Sequence, residues 1–152
     1  MSATQHERRP PSPPRSFRIQ GGAGAPGRAR DHLLEYLDPA GTSTRASDAV
    51  LIVSELVTNS VVHADVDARQ TLSLELATRD HHLRITVIDA GSGLAPRLLP
   101  AHPERAGGVG LRMVDQLSVS WGVDRDPAGL TRVWCELPLD DALTHVSDGL
   151  RM

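Results

Sequence analysis

The sequence predicts an α+β protein, a two-layer α/β sandwich in which a mostly antiparallel sheet carries its helices on one face. Three observations lead there. Apolar residues recur with a helical period between Pro26 and Ala64 and again after Gly107, but with a period of two from Leu72 to Val87 and from Val119 to Leu137. Each alternating run is apolar on one side only, as in a sheet with a single buried face. The alternating runs come in pairs joined by polar turns, as antiparallel strands do, and the helical segments are free to cover their common apolar face.

Length and composition suit one domain. A chain of 152 residues, 39% of them hydrophobic, fills one core of ordinary size. Residues 1–14 are rich in Pro, Ser and Arg with almost nothing to bury, so they read as a disordered arm. The stretch 139–152 is acidic and weakly patterned and reads as a flexible tail, leaving the domain at 15–138. A formal net charge of −3 without any run of like charge argues against direct nucleic-acid binding. No apolar stretch approaches the roughly eighteen residues needed to span a bilayer, and the N-terminus lacks a hydrophobic signal core. The expectation is a cytoplasmic protein without membrane contact. Cys135, the single cysteine, lies in a strand-like run and is expected to be buried and inert. All 16 basic residues are arginine, which excludes phosphate chemistry built on lysine, including the P-loop and the eukaryotic-type protein kinase.

Each element has its own signal. Phe17 and Ile19 alternate with polar residues in RSFRIQ, a short strand that ends at the glycines of GGAGAPG. From Pro26 to Leu37 the positions Ala29, Leu33, Tyr36 and Leu37 keep a helical period, which Asp38-Pro39 and Gly41 stop. Thr42, Ser43 or Thr44 can cap the next helix, predicted from about Ser47 to Ala64. That helix is apolar nearly all round, with Val50, Val53, Leu56, Val57 and Val61 over most of its circumference, and is expected to be buried. Leu72, Leu74 and Leu76, then Leu83, Ile85 and Val87 after the turn RDHH, form a hairpin. Leu94 to Ala106 carries Pro96, Pro100 and Pro103, so it makes neither a good helix nor a central strand and reads as a mobile lid. Gly107-Gly108-Val109-Gly110 opens a third helix with Leu111, Val114 and Leu117 on its apolar face. Val119, Trp121, Val123 and Val133, Cys135, Leu137 flank the turn-rich DRDPAG as a second hairpin. No internal repeat is present.

The candidate chemistry gathers in three places. Glu55, Asn59 and His63 recur at i, i+4 and i+8 on the apolar helix, and at about 100° per residue they share roughly an 80° arc of one face. A carboxylate, an amide and an imidazole on such a helix require partners, a cation or a wet cleft, because burial without them costs several kcal/mol. A satisfied polar seam and a functional row are both consistent with that pattern taken alone. Asp89-Ala-Gly91-Ser-Gly93 follows directly on a strand, setting a carboxylate at the strand edge beside two residues without side chains. Gly108-Val-Gly110-Leu111 opens a helix, whose free N–H groups and dipole attract anions.

In this order and spacing, ELVTNSVVHA, DAGSG and GGVGL resemble the N, G1 and G2 boxes of the GHKL superfamily, which takes its initials from gyrase, the ninety-kilodalton heat-shock chaperone, histidine kinases and the mismatch-repair ATPase. Within it the sequence is most similar to the small stand-alone anti-sigma-factor serine/threonine kinases and their actinobacterial ATP-binding relatives. The likeness runs from about Phe17 to Leu137 and implies the nucleotide-binding sandwich called the Bergerat fold. It implies ATP and Mg²⁺ as cofactors. Asp89 would accept a hydrogen bond from the exocyclic amine of adenine, Gly91 and Gly93 would let the main chain lie against the base, and Thr131 would support Asp89 or a water beside it. Asn59 would give its carbonyl oxygen to Mg²⁺. Gly108 and Gly110, followed by Leu111, would cradle the phosphates, and Glu55 would accept the proton of an attacking hydroxyl. For His63 the resemblance leaves open orienting or packing beneath the site and a part in the chemistry. Arg105 resembles the arginine that reaches the terminal phosphate, although one extra residue intervenes in RAGGVG.

The resemblance implies a regulator that phosphorylates a STAS-type anti-anti-sigma protein, sequesters a sigma factor, or both, and it allows a homodimer. The alternative is a nucleotide-gated protein-binding module without phosphotransfer, a loss that would show first at Glu55, which is present. A gyrase-like hydrolase would need a transducing domain and a sensor kinase a dimerisation helix, and the chain is expected to hold neither.

Overall fold

The computed structural model describes residues 13–37, 46–63, 69–90 and 106–139. The elements run β1 (Arg15–Gln20), α1 (Ala25–Leu37), α2 (Ala46–His63), β2 (Thr71–Arg79), β3 (His82–Asp89), α3 (Ala106–Leu117), β4 (Ser120–Arg125) and β5 (Thr131–Pro138). The arm up to residue 12, the expected lid from Leu94, and the tail from residue 140 lie outside the described residues.

The strands form one sheet in the order β1-β2-β3-β5-β4, antiparallel throughout. The alternation of the sequence becomes its two faces. Ile19, Leu72, Leu74, Leu76, Leu83, Ile85, Val87, Cys135 and Leu137 are buried on the inner face, and the helices seal it with Ala29 and Leu33 from α1, Ile52, Val53, Leu56 and Val57 from α2, and Val114 from α3. α2 packs against α1, α3 and the central strand β3. Burial of each large aliphatic side chain stabilises the fold by about 1.5–3 kcal/mol. Within this core the Cys135 thiol is fully buried, and burial pushes its pKa up to about 12. The inert role expected of it follows, because the reactive species is the thiolate.

The β2–β3 hairpin turns through Asp80 and His81, with φ of 50° and 62°. Two consecutive left-handed residues make the tight turn whose twist matches that of the flanking strands. The β4–β5 turn is closed by backbone bonds, Asp126 N to Leu130 O at 2.9 Å and Gly129 N to Asp126 O at 3.0 Å, to which side chains add. Asp126 Oδ1 accepts from the Leu130 amide at 3.0 Å, Asp126 Oδ2 from Arg132 Nη1 at 3.1 Å, and Gly129 takes a φ of 88°.

Three details depart from the sequence reading. α2 is not buried all round, since Leu51 is 45% and Val62 64% exposed: one sheet covers one side of a helix, and α1 and α3 cover only its flanks. Val119 precedes β4 and is 64% exposed, although its amide still donates to Glu136 O at 2.7 Å. The outer face is not uniformly wet. Trp134 stands opposite Gly122 on one side and the buried Thr86 on the other. A Cβ at position 122 would lie 2.8 Å from Trp134 Cζ2, so the glycine makes room for the ring. Arg84 covers the ring at 4.3 Å from its centroid while donating to Glu136 Oε1 at 2.9 Å.

The Asp126 carboxyl is held below its ordinary pKa, chiefly by the Leu130 amide, with Arg132 and the Ala128 amide adding to it against the opposing effect of desolvation. A lowered folded-state pKa contributes stability above the unfolded value, near 3.9 for Asp, and that contribution is lost as pH falls through the folded value. Wild type should therefore melt above Asp126→Asn at pH 7, and the gap should narrow as pH falls below about 4. A gap that stays constant down to pH 2 would assign the turn's stability to uncharged hydrogen bonds.

Candidate functional site

The site is built on three supports. α2 presents Glu55 and Asn59 one turn apart, both half-buried, while Leu56 and Val57 between them enter the core. The residue before Glu55 ties α2 to its neighbour: Ser54 Oγ donates to Val50 O at 2.7 Å and accepts from Arg30 Nη1 on α1 at 3.2 Å. His63 is the last residue of α2.

The second support is the end of the β3–β5 ladder. Asp89 closes β3, Thr131 opens β5, and the two are direct register partners. Both are polar and both are buried, at 4% and 3% exposure. Strand pairing alone brings them together from positions forty-two residues apart in the sequence.

The third support is α3, whose first turns contain Gly108, Gly110 and Leu111. Amides in the first turn of a helix lack intrahelical acceptors, so this end offers donors to an anion. Gly91, Gly93 and Arg105 lie outside the described residues.

One atom of the candidate site bears on ligand binding. Asn59 Nδ2 is buried with no hydrogen-bond partner, and a buried donor left unmade costs about 1–3 kcal/mol. An oxygen-rich ligand removes that cost. A half-turn of the amide exchanges its two ends, so the same position can offer Oδ1 to a cation. No group of three or more His, Cys, Asp or Glu that could hold a metal ion occurs among the described residues. A divalent ion here would thus take most of its ligands from phosphate and water, the habit of Mg²⁺. The residues present fit a magnesium nucleotide in that sense.

A family model described as a histidine kinase-like ATPase domain matches residues 26–134. The chain belongs to that family. Its five-stranded antiparallel sheet with helices on one face is the Bergerat-type sandwich of the GHKL superfamily. The RsbU and RsbW domains of Rv1364c from Mycobacterium tuberculosis resemble this GHKL domain with a TM-score of 0.62 and 23% identity, over 84% of this chain and 33% of that one. The histidine kinase domain of the blue-light activated histidine kinase EL346 from Erythrobacter litoralis is similar with a TM-score of 0.51 and 24% identity, over 76% of this chain and 64% of that one. The GHKL domain thus spans a third of the first structure and under two thirds of the second. No curated protein matches its sequence. Family membership makes it an ATP-binding domain of the kinase-like ATPase class. No helix among the described residues is long and apolar enough to cross a membrane.

Asn59→Ala separates a ligand-facing amide from a structural one. The substitution removes an unsatisfied buried donor, so the nucleotide-free protein should stay within about 1 kcal/mol of wild type or gain stability. ATP affinity in magnesium should fall to what wild type shows in EDTA. A loss of several kcal/mol without nucleotide would instead make Asn59 part of the core.

Proposed function

We propose that the chain is an ATP-dependent serine/threonine protein kinase of the anti-sigma-factor type, acting on a STAS-type anti-anti-sigma protein and binding a sigma factor. The observation that carries this reading is the half-buried carboxylate of Glu55 one helical turn before the orphaned amide of Asn59. A carboxylate beside the phosphates that is not needed to hold the nucleotide costs binding through like-charge repulsion, a cost that a role in proton transfer would justify. A base for a hydroxyl nucleophile needs such a carboxylate. The order of the three motifs supports the same class, and the presence of an RsbW domain in the mycobacterial neighbour is in keeping with it.

In this reading Asp89 accepts the exocyclic amine of adenine, with Thr131 fixing the carboxylate from the facing strand. Asn59 holds Mg²⁺ through its amide oxygen, and the ion supplies charge that balances the phosphates. Gly108 and Gly110 allow the phosphates to approach the backbone of α3. Glu55 takes the proton from the substrate hydroxyl as its oxygen bonds to the γ-phosphorus, and the bond from that phosphorus to the bridging oxygen breaks to release ADP. In the same reading Arg105 would reach the terminal phosphate, and His63 would orient the site, pack beneath it or take part in the chemistry.

Guanine presents a carbonyl where adenine presents the amine, so Mg-ATP and Mg-ADP should raise the melting temperature and Mg-GTP should not. At a ligand concentration about a hundred times Kd the gain is about 2.7 kcal/mol. Equal shifts with ATP and GTP would remove Asp89 from the adenine role.

Glu55→Gln is nearly isosteric and leaves the adenine and phosphate contacts alone. It should keep ATP affinity while lowering phosphate transfer to an anti-anti-sigma substrate by about 10²- to 10⁴-fold. Both quantities are to be measured on one preparation, with labelled ATP for transfer. Transfer at the wild-type rate would exclude Glu55 as the base. If wild type labels no anti-anti-sigma protein yet binds a partner only in the presence of nucleotide, the protein is a nucleotide-gated binding module.

A further inference from the structure

The helix that carries Gly108 and Gly110 is lightly held. α3 packs against α2 and β4, and Val114 is the only fully buried side chain among its described residues. Its C-terminal end is closed locally, where the Ser118 amide and hydroxyl both donate to Val114 O. Among the described residues, a side-chain hydrogen bond ties α3 to the sheet: Trp121 Nε1 on β4 donates to Asp115 Oδ1 at 2.8 Å.

That bond explains a residue which helix physics disfavours. Asp115 sits in the last turn of α3, where the negative end of the helix dipole repels a carboxylate. Trp121 in turn is half-buried at the margin of the core, and a tryptophan so placed needs an acceptor for its N–H. Each side chain answers the other's requirement. The contact fixes the C-terminal half of α3 to an edge strand, about two helical turns from the glycines, and so sets the direction in which the other half projects.

We infer that Asp115 and Trp121 are positioning residues for the phosphate end of the site: their hydrogen bond aims the glycine-bearing end of α3, and without it the nucleotide loses phosphate contacts but not adenine contacts. The inference rests on the reading that Gly108 and Gly110 face the phosphates. The adenine end, on the β3–β5 ladder, shares no element with this bond.

The test measures binding of Mg-ATP and of adenosine, which lacks phosphate, to wild type, Asp115→Ala, Asp115→Asn, Trp121→Phe and the Asp115→Ala/Trp121→Phe double variant. Asp115→Ala and Trp121→Phe should each weaken Mg-ATP by about threefold to tenfold, the range of one hydrogen bond, and leave adenosine within twofold. Asp115→Asn should bind Mg-ATP like wild type, because its amide oxygen accepts the same bond without the charge. The double variant should be no worse than the weaker single one. Equal losses for ATP and adenosine would make the bond merely structural and overturn the inference, as would unchanged ATP affinity in Asp115→Ala, an exposed substitution that the fold tolerates, or failure of Asp115→Asn to rescue. Wild type that binds adenosine but gains nothing from the phosphates would overturn the phosphate role of α3 itself, a different result from the variant pattern.

Discussion

The packing of α2 on β3 is the constraint from which the remainder follows. Ile52, Val53, Leu56 and Val57 enter the core together, and their spacing leaves one rotation of the helix that buries all four. In that rotation Glu55 and Asn59 fall at the flank of the buried face, half-covered. Turning the helix by one residue, about 100°, would drive the carboxylate into the core while exposing aliphatic side chains worth about 1.5–3 kcal/mol each. The polar pair is therefore held at its depth by the apolar residues around it, and the site inherits the rigidity of the core.

A second constraint is the path of the chain after Asp89. β4 lies at the edge of the sheet, and its hairpin partner β5 fills the place between β4 and β3. Only that arrangement sets Thr131 opposite Asp89. The turn feeding Thr131 into the ladder is the one organised by Asp126, through Leu130 and Arg132 on either side of the threonine. A carboxylate thus helps to set a buried pair at the strand end, and the pair stands on two paired strands and a turn closed by both backbone and side-chain bonds.

Much of this was legible in the residues because the signals were local. Leu72, Leu74, Leu76 and Leu83, Ile85, Val87 alternate without interruption, and the two residues that turn between them are flanked by polar neighbours. The stripe of Glu55 and Asn59 needed only the helical period. The strand order was not legible, since alternation states that a strand has one buried face and says nothing of its neighbour. For the same reason the register that unites Asp89 with Thr131 was only an implication of the family likeness. The exposure of Leu51 and Val62 is not legible in the sequence, because an apolar circumference does not say which arc one sheet and two helices leave open. The place of Trp134 on the outer face depends on Gly122 across one strand and on Arg84 two residues from its partner Thr86 on another, neighbours that its own stretch of sequence does not contain. Asp115 and Trp121 are six apart, a spacing that belongs to no helix or strand period, so nothing in the sequence joined them.

The two ends of the proposed nucleotide site differ in how they are held. Asp89 and Thr131 belong to the backbone ladder of the central sheet, where opening requires breaking strand pairs next to the core. Gly108 and Gly110 belong to a helix whose described residues are anchored by Val114, by contact with α2 and by the hydrogen bond of Asp115 to an edge strand. Local stability scales with such contacts, and elements that must move are drawn from the less stable end. For a kinase the division is useful. Adenine recognition selects the nucleotide and gains from rigidity, while the phosphate end must admit a protein hydroxyl and then release ADP with one phosphate fewer, steps that often limit turnover. A phosphate end fixed as firmly as the adenine end would hold product as tightly as substrate; a hydrogen bond such as that from Trp121 to Asp115 lets the helix be aimed without being locked.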